Sequence, residues 1–431
     1  MTELFSTNLQ IIQQRWPVLA SALKFQSFDD LDANLVTGSN QTISVNGIQL
    51  SSRHNRMSEA QLFISQLPLD CKQVTVYGIG MGDVPSLLTD SKLITNITVC
   101  PLNLGLFALL LSYTDQREWL TDRRITIIEI PNQHQIAESF ISITPDLLLA
   151  DNENAILRDL LVLENNREYA NKQHQVDDPQ LIERFNENIK YLELDPDAST
   201  LRLTHTQHNT LVIGAGPTLE DHYDYLRVQR ALPIGKRPLM IAVDTAFKAL
   251  SSQSIIPDIL VSIDPNITLS HLPEEIPDSV TLVYFPRVPS SVIEHWTGPR
   301  FNAYSKATLY DELDAKHPKL RLFTNGSVIH PAVDLAAFLN SWEITLFGCD
   351  FSYPNNKTHA FWEDGLLGPK ASEAKHWVIN GHGDKVATDL NFRAYLRSLE
   401  HYIRLKPQVK FYQSSLDGAR INGAQYRECK V

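Results

Sequence analysis

Apolar residues in the first half of the chain alternate between short continuous runs and stretches with helical spacing. The segments 74–88 and 96–112 each begin with an apolar run, pass through turn residues and continue with helical spacing. A third apolar run follows at 125–130. Strands that alternate with helices predict a parallel sheet with helices on its faces.

Two local patterns precede this alternation. Apolar residues at helical intervals predict an amphipathic helix over 5–24. The segment 41–52 contains two strand-like runs on either side of Asn46-Gly47, a dipeptide typical of two-residue hairpin turns. We therefore expect a helix and then a hairpin before the sheet begins.

The second half repeats the alternation of strands and helices. Strands are predicted at 210–214, 239–243, 258–263, 281–285, 320–323 and 343–348, and helices at 217–230, 245–252, 328–340 and 389–405. Thr388 or Asp389 is a suitable N-cap for the last helix. The chain is thus predicted to be an α/β protein with two Rossmann-like units in series and mostly parallel sheets.

A change of composition separates the two halves. From about 150 to 200 the chain is charged, nearly free of glycine and helix-prone. We interpret residues 151–205 as a helical connector between an N-terminal accessory domain, 1–150, and a nucleotide-binding domain, 206–431. A length of 431 residues is consistent with more than one domain.

Charge and cysteine content narrow the class of partner. The formal net charge is −12 and no lysine- or arginine-rich block occurs, which argues against duplex nucleic acid as a partner. The four cysteines have no metal-binding spacing and are typical of buried thiols in a reducing compartment. There is no signal-peptide pattern, and the apolar runs are too short to span a bilayer. We expect a cytoplasmic protein without membrane insertion.

The first glycine turn follows the strand that begins at 74 and contains Gly78, Gly80 and Gly82. It lacks the third glycine of the GxGxxG spacing. Cys100 stands where a dinucleotide-binding domain has an acidic ligand for the ribose. The pattern favours a tight turn in a scaffold domain over a dinucleotide site.

The second glycine turn, "LVIGAGPTLED", lies between a strand and a helix. Gly214 and Gly216 precede Pro217, which suits the first turn of a helix. The backbone amides of Gly216 and Thr218 and the Thr218 hydroxyl can face an anion at a helix N-terminus. The pattern fits a phosphate site and equally an ordinary strand-to-helix connection.

Three aspartates follow predicted strands of the second half. Asp244, Asp264 and Asp350 each come directly after a buried run. Because ligands bind at the carboxyl ends of the strands in open α/β sheets, the three carboxylates are predicted to converge on one site. There they could hold Mg²⁺ on a diphosphate, with Asp244 and Asp264 as ligands, bond sugar hydroxyls or act as a base. Each alone could equally be a helix cap.

Polar loops add further candidates. The amides of Asn325, Gly326 and Ser327 form a second potential anion cradle before a helix. Lys357 and His359 lie on a loop after Asp350, where they could neutralise or protonate a leaving phosphate, although a solvated loop has the same composition. A C-terminal turn supplies further backbone donors at Ser415 and Gly418.

Five motifs of the second half, in this order, resemble the 6-hydroxymethylpterin pyrophosphokinase MptE-like family. They are "GAGPTL" (214–219), "VDTAFKALSSQSIIPDILVSID" (243–264), "NGSVIHPAVDLAAFL" (325–339), "LFGCDFSYPNNKTHA" (346–360) and "DGARINGA" (417–424). The bacterial members include the motility accessory factors, or Maf proteins. The segment "SSRHNRMSEA" (51–60) and the glycine turn after it are similar to the accessory domain of those proteins.

The resemblance implies a function and roles for particular residues. Maf proteins are regarded as glycosyltransferases that attach nonulosonic acids, such as pseudaminic or legionaminic acid, to flagellin. Their core resembles the sialyltransferases that use CMP-sialic acid. By this resemblance Asp350 and His359 lie near the reacting centre. The nucleotide or its phosphate would lie against Gly214, Gly216, Pro217 and Thr218, with Asn325, Gly326 and Ser327 lining the same crevice.

Three functions stay open from the sequence. The first is transfer of a nonulosonic acid from a CMP-sugar to a protein such as flagellin, with Asp244 or Asp264 positioning the substrate and His359 as acid or base. The second is a Mg²⁺-dependent 6-hydroxymethylpterin pyrophosphokinase that uses ATP. The third is a nucleotide-binding or assembly protein without catalysis. The long N-terminal half favours the first.

Overall fold

The computed structural model describes residues 2–28, 31–166, 179–202, 208–368 and 370–431. The contacts divide the chain into two compact units, Met1–Arg167 and Glu168–Val431. The predicted connector lies partly outside the described residues and stays a prediction. Within the described ranges, no helix combines the length and the apolar character needed to cross a membrane.

The N-terminal unit is built on a four-stranded parallel sheet in the order β6-β5-β4-β7. Its strands are β1 Ala33–Thr37, β2 Gln41–Val45, β3 Ile48–Gln49, β4 Gln73–Tyr77, β5 Asn96–Cys100, β6 Ile125–Ile127 and β7 Phe140–Ser142. Its helices are α1 Glu3–Arg15, α2 Pro17–Lys24, α3 Arg56–Ile64, α4 Asp83–Asp90, α5 Leu104–Tyr113, α6 Arg117–Thr121, α7 Thr144–Leu148 and α8 Ala155–Asn165. Strands β1 to β3 form a separate antiparallel sheet.

Local chemistry explains where two of these elements begin and end. The hairpin between β2 and β3 turns at Asn46 and Gly47, both with positive φ (51° and 80°), as a two-residue turn requires. The prediction of one helix over 5–24 was wrong, because the chain forms two helices. Pro17 starts the second helix, and the residue before a proline is disfavoured in helical conformation.

The C-terminal unit is built on eight parallel strands in the order β12-β11-β10-β9-β8-β15-β18-β19. Its strands are β8 Asn209–Ile213, β9 Leu239–Val243, β10 Ile259–Ser262, β11 Thr281–Tyr284, β12 Arg300–Asn302, β13 Tyr304–Ser305, β14 Arg321–Leu322, β15 Glu343–Phe347, β16 His376–Ile379, β17 Lys385–Thr388, β18 Lys410–Gln413 and β19 Ala424–Tyr426. Its helices are α9 Pro179–Leu194, α10 Tyr223–Ala231, α11 Asp244–Ser252, α12 Ser290–His295, α13 Asp311–Lys316, α14 Ile329–Phe338 and α15 Leu390–Arg404. The two units confirm the predicted α/β class.

Some predicted elements of this unit differ from the structure. The strand predicted at 320–323 is β14, which pairs with β13 outside the large sheet. The helix predicted from 217 begins as a 3-10 turn, Pro217–His222, before α10. Helix α15 is capped as predicted, because the Asp389 carboxylate accepts a hydrogen bond from the Phe392 amide.

The core of the large sheet explains why its strands are continuous apolar runs. Every residue of β9 and β10 is buried, since helices cover both faces of a parallel sheet. The strand order reverses between β8 and β15, which are neighbours in the sheet but far apart in sequence. This reversal is a topological switch point, where open α/β sheets bind their ligands.

Candidate functional site

A cavity lies at the switch point, beyond the carboxyl ends of β8, β9 and β15. Its volume is about 120 Å³. It is lined by Ala215, Gly216, Val243, Thr245, Ser327, Val328, Ile329, Gly348, Cys349, Asp350, Phe351, Ser352, Thr358, His359, Phe392 and Tyr395. Since sites that enclose a small-molecule ligand measure roughly 300–1,000 Å³, this switch-point cavity suits part of a ligand rather than a whole nucleotide.

The carboxylate of Asp350, which follows β15, binds the second glycine turn, which follows β8. Its carboxylate accepts a hydrogen bond from the Thr218 amide, 2.9 Å from Oδ2, and a second from the Thr218 hydroxyl. The Gly216 amide donates to the carbonyl of Gly348 at 2.8 Å. The donors that were predicted to hold a phosphate are therefore engaged inside the protein.

This arrangement favours the ordinary strand-to-helix connection over a phosphate turn for "LVIGAGPTLED". Pro217 and Thr218 begin the 3-10 turn as the pattern indicated, but the anion at the amide and hydroxyl of Thr218 is the carboxylate of Asp350. Burial raises the pKa of Asp350 to about 6, although the bonds from Thr218 oppose the shift. The turn thus connects the loop after β8 to the loop after β15. Of its residues, Ala215 and Gly216 line the switch-point cavity.

The glycines of this turn are required by close backbone approach. A Cβ on Gly216 would lie 2.4 Å from Oδ2 of Asp350 and 2.7 Å from the carbonyl oxygen of Gly348. A Cβ on Gly214 would lie 2.5 Å from the same carbonyl oxygen. The two glycines therefore allow the loops after β8 and β15 to touch.

We expect Gly216→Ala to destabilise the C-terminal unit by about 1–3 kcal/mol, the usual cost of overpacking a well-packed core. Gly235→Ala is the matched control, because a Cβ there meets no atom within 4 Å. Hydrogen exchange of the β8 and β15 amides would measure the effect on this unit alone. Equal protection in the two variants would contradict the close packing at Gly216.

The first glycine turn is closed in the same way. The carboxylate of Asp146, after β7, accepts hydrogen bonds from the amides of Ile79 (2.7 Å) and Gly80 (2.9 Å). A Cβ on Gly78 would lie 2.5 Å from the Cβ of Asp146. In each unit, an aspartate across the switch point thus binds the glycine turn. This geometry supports the interpretation of the first turn as part of the scaffold.

Asp244 and Asp264 have hydrogen-bond partners different from those of Asp350. The Asp244 carboxylate is buried and accepts from the Ser262 hydroxyl (2.7 Å) and the Thr245 amide (2.8 Å). Burial raises its pKa to about 6, and the charge of Asp264 adds to this shift. Asp264 accepts from the amide of Asn266 in its own turn.

A protein-held magnesium site does not follow from these carboxylates. Among the residues that the structure describes, no group of three or more His, Cys, Asp or Glu side chains is placed to hold a metal ion. Neither Asp244 nor Asp264 lines the switch-point cavity. Of the three predicted aspartates only Asp350 lines this cavity, and its carboxylate is held by the loop after β8. The roles of Asp244 and Asp264 stay predictions.

The loop before α14 reaches the switch-point cavity through Ser327, and the two residues that follow, Val328 and Ile329, also line it. Within the described part of the chain, the amides of Ser327 and Val328 make no hydrogen bond. The Asn325 amide, in contrast, donates to Nδ1 of His330 at 3.1 Å. Part of the predicted second cradle is therefore available, at the N-terminus of a helix whose dipole favours an anion.

His359 and Thr358 form the opposite side of the switch-point cavity. Nδ1 of His359 is buried and makes no hydrogen bond within the described residues. Burial lowers the pKa of His359 to about 4, although the carboxylates of Asp389 and Asp364 oppose the shift. The imidazole is consequently neutral at pH 7 and can accept a proton.

Lys357 is placed outside the switch-point cavity. Its ammonium lies 2.6 Å from the Glu220 carboxylate, which also accepts from the Phe361 amide. The lining of the cavity, as far as the structure describes it, contains no lysine or arginine. A phosphate contact of Lys357 stays a prediction and requires its pair with Glu220 to open.

Ser415 and Gly418 line a second, smaller cavity on the other side of Asp350. Its volume is about 10 Å³, the space of roughly one water molecule. A Cβ on Gly418 would lie 2.6 Å from Oδ1 of Asp350, so this glycine makes room for the carboxylate. Neither Ser415 nor Gly418 lines the switch-point cavity.

Several lining residues were not among the predicted site residues. They are Thr245, Ser352, Thr358, Phe392 and Tyr395. Phe392 and Tyr395 belong to the apolar face of α15, and this face indicates packing rather than a site. Thr358 precedes His359 in the same motif, and this adjacency is the one signal in the sequence that could have found it.

The C-terminal unit is therefore an α/β fold with its candidate site at the switch point of a parallel sheet. Residues 183–356 match the family described as 6-hydroxymethylpterin diphosphokinase MptE-like. The MAf glycosyltransferase from Magnetospirillum magneticum AMB-1 aligns at a TM-score of 0.48 and 16% identity, over 99% of this chain and 74% of that chain. A comparison with curated proteins gives no match. The match of residues 183–356 confirms that this segment is MptE-like.

Proposed function

We propose that the C-terminal unit transfers a nonulosonic acid from a CMP-activated donor to a hydroxyl group of a protein acceptor such as flagellin. The observation that carries this proposal is the neutral His359, which has a buried, unpartnered Nδ1 within the described residues and lines the same cavity as the N-terminus of α14. The donor and the acceptor class follow from the resemblance of the motifs to Maf proteins.

Different residues of the switch-point cavity can serve as the proton acceptor and as the groups that stabilise the leaving phosphate. The imidazole of His359 accepts the proton of the acceptor hydroxyl as the hydroxyl oxygen bonds to the anomeric carbon of the sugar. The bond from that carbon to the phosphate oxygen breaks, and its electron pair stays on the departing CMP. The free amides of Ser327 and Val328, at a helix N-terminus, would stabilise the phosphate charge.

The volume of the cavity is consistent with these roles, because it suits the reacting groups rather than the whole donor. A volume of about 120 Å³ accommodates the reacting phosphate and the anomeric centre, with the rest of the donor outside. Thr245 and Thr358 also line the cavity and offer hydroxyl groups that can bond sugar oxygens. The proposal needs no protein-held metal ion for these steps.

Thermal unfolding with different nucleotides tests this proposal against its alternatives. A ligand at 100 times its Kd stabilises the folded state by about 2.7 kcal/mol. We expect CMP to raise the melting temperature, with ATP and Mg²⁺ giving a smaller rise. Stabilisation by ATP and Mg²⁺ alone would favour the 6-hydroxymethylpterin diphosphokinase reaction. CMP binding without release of CMP from a CMP-sugar would favour a non-catalytic protein.

Lys357 and Glu220 allow a separate test of the phosphate contact. We expect Lys357→Gln to weaken CMP binding several-fold, and Glu220→Gln to strengthen it by freeing the ammonium from its partner. The pair is about one-third exposed on each side, 33% and 38%, so either change should cost at most about 1 kcal/mol of stability.

Cytidine is the control ligand, because it lacks the phosphate that Lys357 would meet. Calorimetric titration of both variants with CMP and with cytidine would give the four affinities. Equal changes for CMP and cytidine would show that Lys357 does not contact the phosphate.

A further inference from the structure

Tyr395, on α15, is one of the residues that line the switch-point cavity. It is half-buried on α15, beside Phe392, and its hydroxyl makes no hydrogen bond in the part of the chain that the structure describes. Burial raises the pKa of Tyr395, and the charges of Asp389 and Asp264 add to the shift. Because the side chain is only partly buried and its hydroxyl has no partner among the described residues, this donor is free to bond a ligand in the cavity.

Gly326 makes the space in which the ring of Tyr395 lies. Its φ is +88°, a conformation that side chains other than glycine rarely adopt. A Cβ at this position would lie 2.4 Å from Cε1 of Tyr395. The ring therefore packs directly on the backbone of the loop that leads into α14.

His330 connects the same two walls of the cavity. It is fully buried, accepts from the Asn325 amide at Nδ1 (3.1 Å) and lies 3.0 Å from the Tyr395 carbonyl oxygen at Nε2. Burial lowers the pKa of His330 to about 4. The neutral imidazole with its proton on Nε2 satisfies both contacts, so one side chain fixes the loop before α14 and the backbone of Tyr395.

We propose that Tyr395 is a positioning residue whose hydroxyl donates a hydrogen bond to an oxygen atom of the bound nucleotide sugar. His330 and Gly326 hold its ring in place for this contact. The acceptor is an oxygen of the phosphate or of the sugar, which share the chemistry of a hydrogen-bond acceptor. This inference rests on the proposed transfer from a CMP-activated donor.

Tyr395→Phe removes the hydroxyl and leaves the ring. Because no hydrogen bond to another described residue is lost, we expect an unchanged melting temperature. We expect a loss of roughly tenfold in kcat/KM for the release of CMP from CMP-sialic acid, which corresponds to about 1.4 kcal/mol. Binding of CMP alone separates the two acceptors. A weaker CMP affinity assigns the contact to the phosphate, and an unchanged affinity with altered kcat or KM assigns it to the sugar.

Tyr402→Phe on the same helix is the matched control. Its hydroxyl donates to the buried carboxylate of Asp334 at 2.8 Å, away from the cavity. This variant should lose stability and retain kcat/KM once folded. Tyr395→Phe should instead retain stability and lose kcat/KM. This difference between the two variants would indicate that the Tyr395 hydroxyl positions the substrate rather than stabilising the fold.

Gly326→Ala tests how the ring is held. We expect this change to lower kcat/KM more in the wild-type background than in a Tyr395→Ala background, where the clash with the ring is absent and only the strain of the positive φ remains. Wild-type values of the CMP affinity, kcat and KM in Tyr395→Phe would overturn the inference. A wild-type protein that binds no CMP and releases none from CMP-sialic acid would instead overturn the proposed function.

Discussion

His359→Ala should lower the rate of sugar transfer by about 10²–10⁴-fold, the contribution of a general base, and leave the affinity for CMP largely intact. The expectation rests on His359, which lines the switch-point cavity and whose buried Nδ1 makes no hydrogen bond within the described residues. Steady-state kinetics with calorimetric CMP titration would measure both effects. Loss of CMP binding with an intact rate would refute the role of base.

The pH dependence gives a second measure of the same role. Because burial lowers the pKa of His359 to about 4, the imidazole is neutral above that pH and gains a proton below it. The contribution of this base to kcat/KM should therefore be constant from about pH 5.5 to 8 and fall towards pH 4. A fall of kcat/KM at acidic pH with an apparent pKa near 6.5 would contradict the burial of the imidazole.

His401→Ala is a suitable control for the histidine replacement. His401 is exposed on α15 and lies outside the switch-point cavity. Its replacement should leave the rate, the CMP affinity and the stability near their wild-type values. A similar loss of rate in both variants would indicate a general effect on folding rather than the loss of a base.

Asp350→Asn should make the C-terminal unit more stable than wild type at pH 7.5, by up to about 3 kcal/mol. The pKa of Asp350 is raised from 3.8 to about 6, and each pKa unit corresponds to roughly 1.4 kcal/mol. Asparagine has the same shape, so its oxygen can accept from the Thr218 amide while its amide group donates to the Thr218 hydroxyl. The change removes the cost of burying a charge and retains both contacts.

The sign of this effect depends on pH. A folded-state pKa above the unfolded value favours folding below about pH 4, and this contribution is lost as the pH rises through about 6. The advantage of Asp350→Asn over wild type should therefore grow from pH 4 to pH 7.5. Hydrogen exchange of the β8 and β15 amides at the two pH values would measure it.

Two further variants complete the comparison. Asp350→Ala should destabilise the unit by about 1–3 kcal/mol, because it leaves the buried donors of Thr218 without a partner. Asp278→Asn, at an exposed position, should change little. If Asp350→Asn is less stable than wild type by the same amount at both pH values, the carboxylate itself stabilises the turn.

Much of the fold could be predicted from local patterns. Strand β9 was predicted with its observed bounds, because a run of five buried apolar residues between turns suits a central parallel strand. The hairpin at Asn46-Gly47 and the N-cap at Asp389 followed from the chemistry of single residues. The helix over 5–24 was wrong where a proline interrupts an otherwise continuous apolar pattern.

The candidate site was predicted less completely. Gly216, Ser327, Asp350 and His359 do line the switch-point cavity. Asp244 and Asp264 were expected there because they follow strands, but the direction of a side chain at a strand end depends on its neighbours. Tyr395 lies on the apolar face of α15, a pattern that indicates packing, and only the tertiary structure shows that it lines the cavity.

The sequence by itself determined the α/β class, most strands of the large sheet, the positions of both glycine turns and the family of residues 183–356. These properties depend on short-range patterns of apolar, glycine and capping residues. Only the tertiary structure decided that the anion in the second glycine turn is Asp350, since its contact with Thr218 joins residues 132 positions apart. Strand order creates such a contact, and a local pattern cannot distinguish an internal carboxylate from the phosphate of a ligand.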